Sequence, residues 1–264
     1  MLNRFYRVVR SLYNGADYRL RRSAGFVNSK ITGSRRRFPS RRLAPPETMR
    51  NAFDSFYKNP EYAAWEIGAP QPEFVKLGEA GEITGDVLDV GCGSGEQAIY
   101  AATLGCHAVG VDFSEVAVVL AQKRAEERGS TAEFVVGDVR ELKTLGRSFD
   151  TVLDAGTFHT LDNSSRELYA ESLWNVLRPE GSLFLLCLCE FEGDSPGARL
   201  VTQHEIREVF SQANGYRVVW CREAVEHLSD QPTLRLSGKR VVENGKAWLA
   251  KIVRLPKKRD LLRS

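Results

Sequence analysis

The chain has no apolar run long enough to cross a bilayer. SLFLLCLC at 182–189 and EVAVVLA at 115–121 are the longest candidates, well short of the roughly 18 residues such a helix needs, so no transmembrane segment is expected. Cysteine is sparse: there are five, with no C-x-x-C pair, and the four histidines form no cluster at ligand spacing. That excludes a disulfide framework and a zinc site, so no metal is expected. It points instead to free thiols in a reducing, cytoplasmic setting. Methionine occurs only at Met1 and Met49, and acids are almost missing from residues 1–45, where Asp17 faces eleven arginines and Lys30.

This last shortage divides the chain. The remainder carries 25 basic and 33 acidic residues, so an acidic body follows a basic arm. In the arm, Arg4, Arg7 and Arg10 alternate with Phe5, Val8, Val9 and Leu12, the amphipathic, Arg-rich and acid-poor pattern of an organelle transit peptide, mitochondrial or other. A disordered arm, an upstream start with Met49 as the true first residue, and a polybasic segment touching anionic lipid or nucleic acid are the alternatives. The expected divisions are an extension over 1–48, one domain over 49–258 and a tail over 259–264. The acidic domain would repel a phosphate backbone, so it is not expected to bind nucleic acid. A monomer is favoured.

From Asp86 onward, strand-like runs alternate with helical patterns, the signature of a parallel sheet with crossover helices. Strands are predicted at 86–90, 107–112, 132–137, 149–154, 182–188, 217–224 and 247–255, and helices at 95–104, 114–127, 165–177 and 203–212. A polar insertion at 228–245 suits a hairpin. The fold class is α/β: a Rossmann-like, seven-stranded, mostly parallel sheet with helices on both faces and the last strand antiparallel.

In such sheets, ligands bind at the carboxyl ends of the strands, and the first strand-to-helix turn approaches them most closely. Here that turn is VGCGSGE, with Gly91, Gly93 and Gly95. Lacking Cβ, these residues let the backbone bend sharply and lie against a ligand, with helix N–H groups aimed at its negative end. Asp112 closes the second strand, where a carboxylate can accept from both hydroxyls of a ribose. Asp138 closes the third, where an acid can accept from an exocyclic amine. Either acid alone reads equally well as a helix N-cap; together with the glycine turn they point to a ligand containing adenosine. The G-x-G-x-G spacing is one residue short of the nicotinamide fingerprint.

VLDVGCGSGE, VGVDFS, VVGDVREL and FDTVLDAGTFHTL together resemble the motifs of class I methyltransferases that use S-adenosyl-L-methionine. The resemblance spans about residues 50–255 and assigns the backbone at Gly91, Gly93 and Gly95 to the methionine moiety. It gives Asp112 the ribose, Phe113 the adenine face, and Asp138 with Val139 the adenine edge. Asp89 would order the loop, and Asp154 would lie near the sulfonium or cap the loop that follows.

A narrower resemblance lies in YAAWEIGAPQPEFVKL and DAGTFHTL. It is similar to the thiopurine, halide and thiol methyltransferases and to bacterial enzymes acting on quinones and heterocycles. Trp65, Ile67, Gly68, Pro70 and Pro72 match; the usual proline before the tryptophan is Ala64 here. The resemblance implies a small-molecule acceptor and a lid over 50–80, with Trp65 covering the donor and Phe158 beside the acceptor. Cys189 either packs as a small apolar residue or lines the substrate pocket. His159 is the candidate general base, its alternative being a packed loop histidine. The remaining alternatives are a nicotinamide-dependent oxidoreductase, disfavoured by the glycine spacing, and a silent donor-binding module.

Overall fold

The computed structural model describes residues 47–59, 63–190, 200–229, 235–236, 239–240 and 244–256. The arm and the tail 259–264 lie outside the described residues. The first described element is helix α1, Glu47–Lys58, so the expected boundary at 49 falls inside its first turn. Helix α2, Pro72–Glu79, follows with proline in its opening turn, where the missing N–H costs no bond. The lid stretch is therefore partly helical.

The sheet consists of β1 (Asp86–Val90), β2 (His107–Asp112), β3 (Glu133–Val136), β4 (Phe149–Ala155), β5 (Leu177–Glu190), β6 (Tyr216–Glu226) and β9 (Gly245–Arg254), in the order β3-β2-β1-β4-β5-β9-β6. The first five run parallel. Strand β9 is antiparallel to both β5 and β6, so the last strand in sequence inserts between two earlier ones. The expected hairpin within 228–245 is a two-stranded antiparallel ribbon, β7 (Arg235–Leu236) and β8 (Lys239–Arg240).

Strand β1 shows why these residues form a central strand. Val87, Leu88 and Val90 are all fully buried, because a parallel strand covered on both faces has no solvent side to alternate toward. Helices α3 (Glu96–Thr103) and α4 (Glu115–Glu127) cover one face with α2, burying Ala98, Ile99, Val118 and Ala121 against Val87, Leu153 and Phe184. Helices α5 (Asn163–Val176) and α6 (Gln203–Val209) cover the other, where Tyr169, Leu173 and Ile206 meet Leu88, Val152 and Leu185. Each such side chain contributes roughly 1.5–3 kcal/mol on burial.

Local chemistry starts the helices where the sequence suggests. Ser114 Oγ accepts from Ala117 N–H at 3.1 Å, Asp162 from Ser165 N–H at 2.7 Å, and Thr202 with Glu205 forms a capping box. Strand β5 begins five residues before the expected 182. Leu177 already pairs with Phe149, and the register then shifts so that Ser182 meets Thr151. Glu180, at φ 63°, takes up that bulge. Among the described residues, no helix is long and apolar enough to cross a membrane.

Candidate functional site

The carboxyl ends of β1, β4 and β6 border the same cleft, with that of β2 beside them. The sheet order places β1 in the middle, with Asp112 at the end of β2 on one side and Gly156, following β4, on the other. The glycine turn lies between them. Gly91 and Gly93 have φ of 61° and 53°, the left-handed region that glycine enters at little cost. A Cβ on Gly93 would stand 2.7 Å from Tyr57 Oη, and one on Gly91 would overlap Thr157 Oγ1. The turn needs glycine both for conformation and for close approach. The cleft it borders holds about 470 Å³, open mouth included, and is walled by Gly91, Gly93, Asp89, Trp65, Glu66 and Glu226, among others.

The acids are buried and held by backbone. Asp89 accepts from Ala98 N–H at 3.1 Å across the start of α3, tying the turn to its helix as expected. Burial first, then the charges of Asp154 and Asp112, keep its carboxyl well above the usual range. Asp112 accepts from Gly93 N–H at 3.0 Å and Ser114 N–H at 2.8 Å. Burial outweighs those bonds and lifts it to about 6. Phe113 meets Phe53 of α1 edge to face, ring centres 5.5 Å apart.

Asp138 takes its N-cap alternative. It accepts from Arg140 N–H at 2.9 Å while the Arg140 guanidinium grips both of its oxygens. Val139 beside it is buried. Asp154 likewise caps the loop after β4, accepting from Thr157 N–H at 2.8 Å, Phe158 N–H at 3.3 Å and Tyr169 Oη–H at 2.6 Å. Burial raises it to about 7. It is fully buried and does not border the cleft wall, so its place is under the site.

Two sequence expectations are corrected by packing. Phe158 is fully buried, with the Arg166 guanidinium 4.4 Å from its ring centre and Phe210 and Tyr169 alongside; it belongs to the core, not to the acceptor pocket. His159 takes the packed alternative. Its Nδ1 accepts from Leu188 N–H at 3.1 Å, and burial, reinforced by the Arg166 charge, lowers it to about 3. A neutral imidazole has one free lone pair. Here that lone pair is occupied, which leaves Nε2 as a donor, and a donor cannot serve as the base. Cys189 is half-buried and does not border the cleft, while Cys187 is fully buried.

The lid is organised by Trp65. Its ring contacts Phe53, Phe56 and Tyr57 with centres 5.2–6.2 Å apart, and its Nε1–H donates to Tyr57 Oη at 3.3 Å. Glu66 accepts from Ser94 Oγ–H, and Asp54 of α1 is hydrogen-bonded to Ser114 Oγ. Gln71 fastens the lid to the far wall: its Oε1 accepts from His227 N–H and its Nε2–H donates to the His227 carbonyl, both at 2.9 Å. The sequence reading left Glu66 and Gln71 without a role, although both lie inside the quoted lid motif. It missed Glu226 altogether, an acid at a strand end like Asp112.

The residues fit a donor that carries a cation. The cleft wall holds Asp89 and Glu226 beside a glycine turn in which no Cβ fits, while Glu96 is paired with Arg124 and Arg128 and Glu66 lies near Arg124, and carboxyls without a cationic partner in a low-dielectric cleft favour positive charge. Bound there, S-adenosylmethionine supplies a methyl group already activated on a sulfonium sulfur.

Comparison with known proteins agrees. A family described as a methyltransferase domain matches residues 87–181. The chain is 37% identical over 175 residues to the 2-heptyl-1-hydroxyquinolin-4(1H)-one methyltransferase of Mycobacteroides abscessus, covering 63% of this chain and 77% of that protein. It is 28% identical over 146 residues to a probable thiol methyltransferase of Arabidopsis thaliana, covering 53% and 64%. Among solved structures, one described as converting a disulfide bond into a thioacetal group during echinomycin biosynthesis superposes with a TM-score of 0.70 and 30% identity, over 81% of this chain and 97% of that one. Magnesium protoporphyrin IX methyltransferase of Synechocystis, with bound SAH, shares the fold at a TM-score of 0.51 and 20% identity, over 78% and 83%. Fold, cradle and relatives agree that this chain belongs to the class I methyltransferases that use S-adenosylmethionine.

Proposed function

We propose that the enzyme moves a methyl group from S-adenosylmethionine to a heteroatom (sulfur, oxygen or nitrogen) of a small molecule by in-line displacement. The observation that carries this reading is the roofed, acid-lined cleft at the carboxyl ends of the strands, closed by Trp65, Glu66 and Gln71 rather than left open to a macromolecule. The matched relatives include one named for a hydroxyquinolone and one for thiols, which supports a compact acceptor. The free state of all five cysteines supports a cytoplasmic setting, and residues 49–258 are taken as the functional domain.

In this reading the Gly91–Gly95 backbone holds the donor's methionine end, Asp112 its ribose, and Phe113 with the Val139 segment its adenine, Asp138 serving to cap that segment. Trp65 excludes water. The protein's contribution is alignment and dryness, since a sulfonium needs no further activation. Calorimetry should show S-adenosylmethionine binding more tightly than NADH. A transfer screen over thiols, phenols, quinols, aza-arenes and halide should then yield methylated product. Tighter NADH binding would reject the donor assignment, and donor binding without turnover on any acceptor would favour a silent binding module.

A further inference from the structure

Glu226, the last residue of β6, is 4% exposed and shares the cleft wall with Gly91, Gly93 and Ala155. Among the described residues, its Oε2 is buried with no hydrogen-bond partner. The nearest ring nitrogen, His159 Nδ1, lies 3.7 Å from that oxygen, but its lone pair is already taken by Leu188 N–H. Gly156 fronts the other oxygen: a Cβ there would stand 3.1 Å from Oε1. A buried carboxyl left unmatched is costly, and the backbone of the next residue, His227, is clamped by both ends of the Gln71 amide. The carboxyl is thus held at the cleft wall with one oxygen unmatched.

We propose that Glu226 is a catalytic residue, the base that receives the acceptor's proton, and that the acceptor therefore carries an O–H or S–H. This rests on the methyl-transfer reading above. The acceptor's lone pair forms the new bond to the methyl carbon, the carbon–sulfur pair stays with sulfur, and the Glu226 carboxylate takes the proton. Cation, neutral acceptor and carboxylate become thioether, methylated product and neutral carboxyl, so charge and atoms balance.

The electrostatics fit that cycle. Burial, with the Asp154 charge adding to it, raises Glu226 to about 8. The other titratable groups facing it are neutral His159 on the turn after β4, Asp154 on β4 and the buried Cys187 thiol on β5. Near neutrality Glu226 is mostly protonated in the free enzyme. It ionises when a cation enters the cleft, and it regains a proton from the acceptor as that charge disappears.

Calorimetry of the full chain at pH 7, in buffers of different ionisation enthalpy, counts the protons released on donor binding. Wild type should release about 0.5–1 proton with S-adenosylmethionine and far less with S-adenosylhomocysteine, whose sulfur is uncharged. Glu226→Gln, checked for folding by thermal melt, should lose most of that release while keeping donor affinity within a few-fold. In transfer assays it should slow methylation of hydroquinone by about a hundredfold, and that of iodide far less. Glu226→Asp should recover part of the loss. Proton release that Glu226→Gln leaves unchanged, or equal release with both ligands, overturns the proposal and moves the proton to Asp112 or Asp154. An equal rate loss on hydroquinone and iodide overturns it as well. Absence of donor binding in the wild type would instead reject the methyl-transfer reading beneath it.

Discussion

The Asp112 carboxylate receives two backbone N–H groups, from Gly93 and Ser114, so one side chain fixes the glycine turn to the end of β2. Asp112→Ala should lower donor affinity at least tenfold, since charge-assisted bonds contribute about 1.5–3 kcal/mol each. It should also cost about 1–3 kcal/mol of stability, because two buried N–H groups lose their acceptor. Sequence alone would suggest a stability-neutral change. Asp112→Asn, retaining one acceptor oxygen, should do less on both counts. Titration calorimetry and a denaturant melt check the pair. At this scale the sequence supplies residue types and strand ends: Asp89, Gly93 and Asp112 stand where the spacing puts them. It does not supply neighbours. That Arg140 would occupy Asp138, or that Leu188 N–H would take the lone pair of His159, depends on side-chain directions that no spacing encodes.

Among the elements, the lid couples most tightly to the rest of the site. Helix α1 reaches the donor side through Asp54 and Phe53, against Ser114 and Phe113. The segment after it reaches the opposite wall through Gln71 and through Ser229 N–H, which donates to Ala64 O at 2.6 Å. Gln71→Ala removes both side-chain bonds to His227 and leaves the β1 and β4 ladders untouched. Hydrogen exchange should accelerate over 63–71 and 226–229, with central strand amides unchanged, and donor dissociation should quicken severalfold. Uniform acceleration across the sheet would show that Gln71 supports the fold rather than the lid. The strands were the most legible elements, because a doubly covered parallel strand writes its burial as a continuous apolar run. The helices of the lid carried signals that went unread: Met49, Ala52, Phe53, Phe56 and Tyr57 recur at helical spacing after Pro45 and Pro46, although the apolar face is completed by Trp65 and Phe113 from distant sequence.

For the molecule as a whole, four buried carboxyls carry raised affinities for protons, all chiefly through burial: Asp89 well above the usual range, Asp112 at about 6, Asp154 at about 7 and Glu226 at about 8. The folded state then binds more protons than the unfolded chain across this range. The stability they lend is full below the unfolded carboxylate value near 4 and is lost as pH rises through 6 to 8. Asp86, held low chiefly by its Arg178 hydrogen bond, and Asp162 act in the opposite sense at lower pH. The melting temperature of the free enzyme should therefore fall between pH 5.5 and 8.5. Saturating S-adenosylmethionine should flatten that fall, because a cation in the cleft offsets the ionised acids, whereas S-adenosylhomocysteine should flatten it less. Scanning calorimetry at stepped pH checks this, and a flat profile without donor would mean that these carboxyls stay ionised when buried.

Among the described residues, strand β6 hydrogen-bonds to the sheet through β9 alone, and β9 follows it in the chain. During synthesis, the half of the site built from β1, β2 and β4 has all its sheet partners once β5 has emerged. The strand that carries Glu226 has no neighbouring strand to complete its ladder until residues 245–254 are made. The donor cradle can thus form before the wall carrying the proton acceptor, which closes only with residues 245–254, so a chain ended before them would keep the cradle and lose the chemistry.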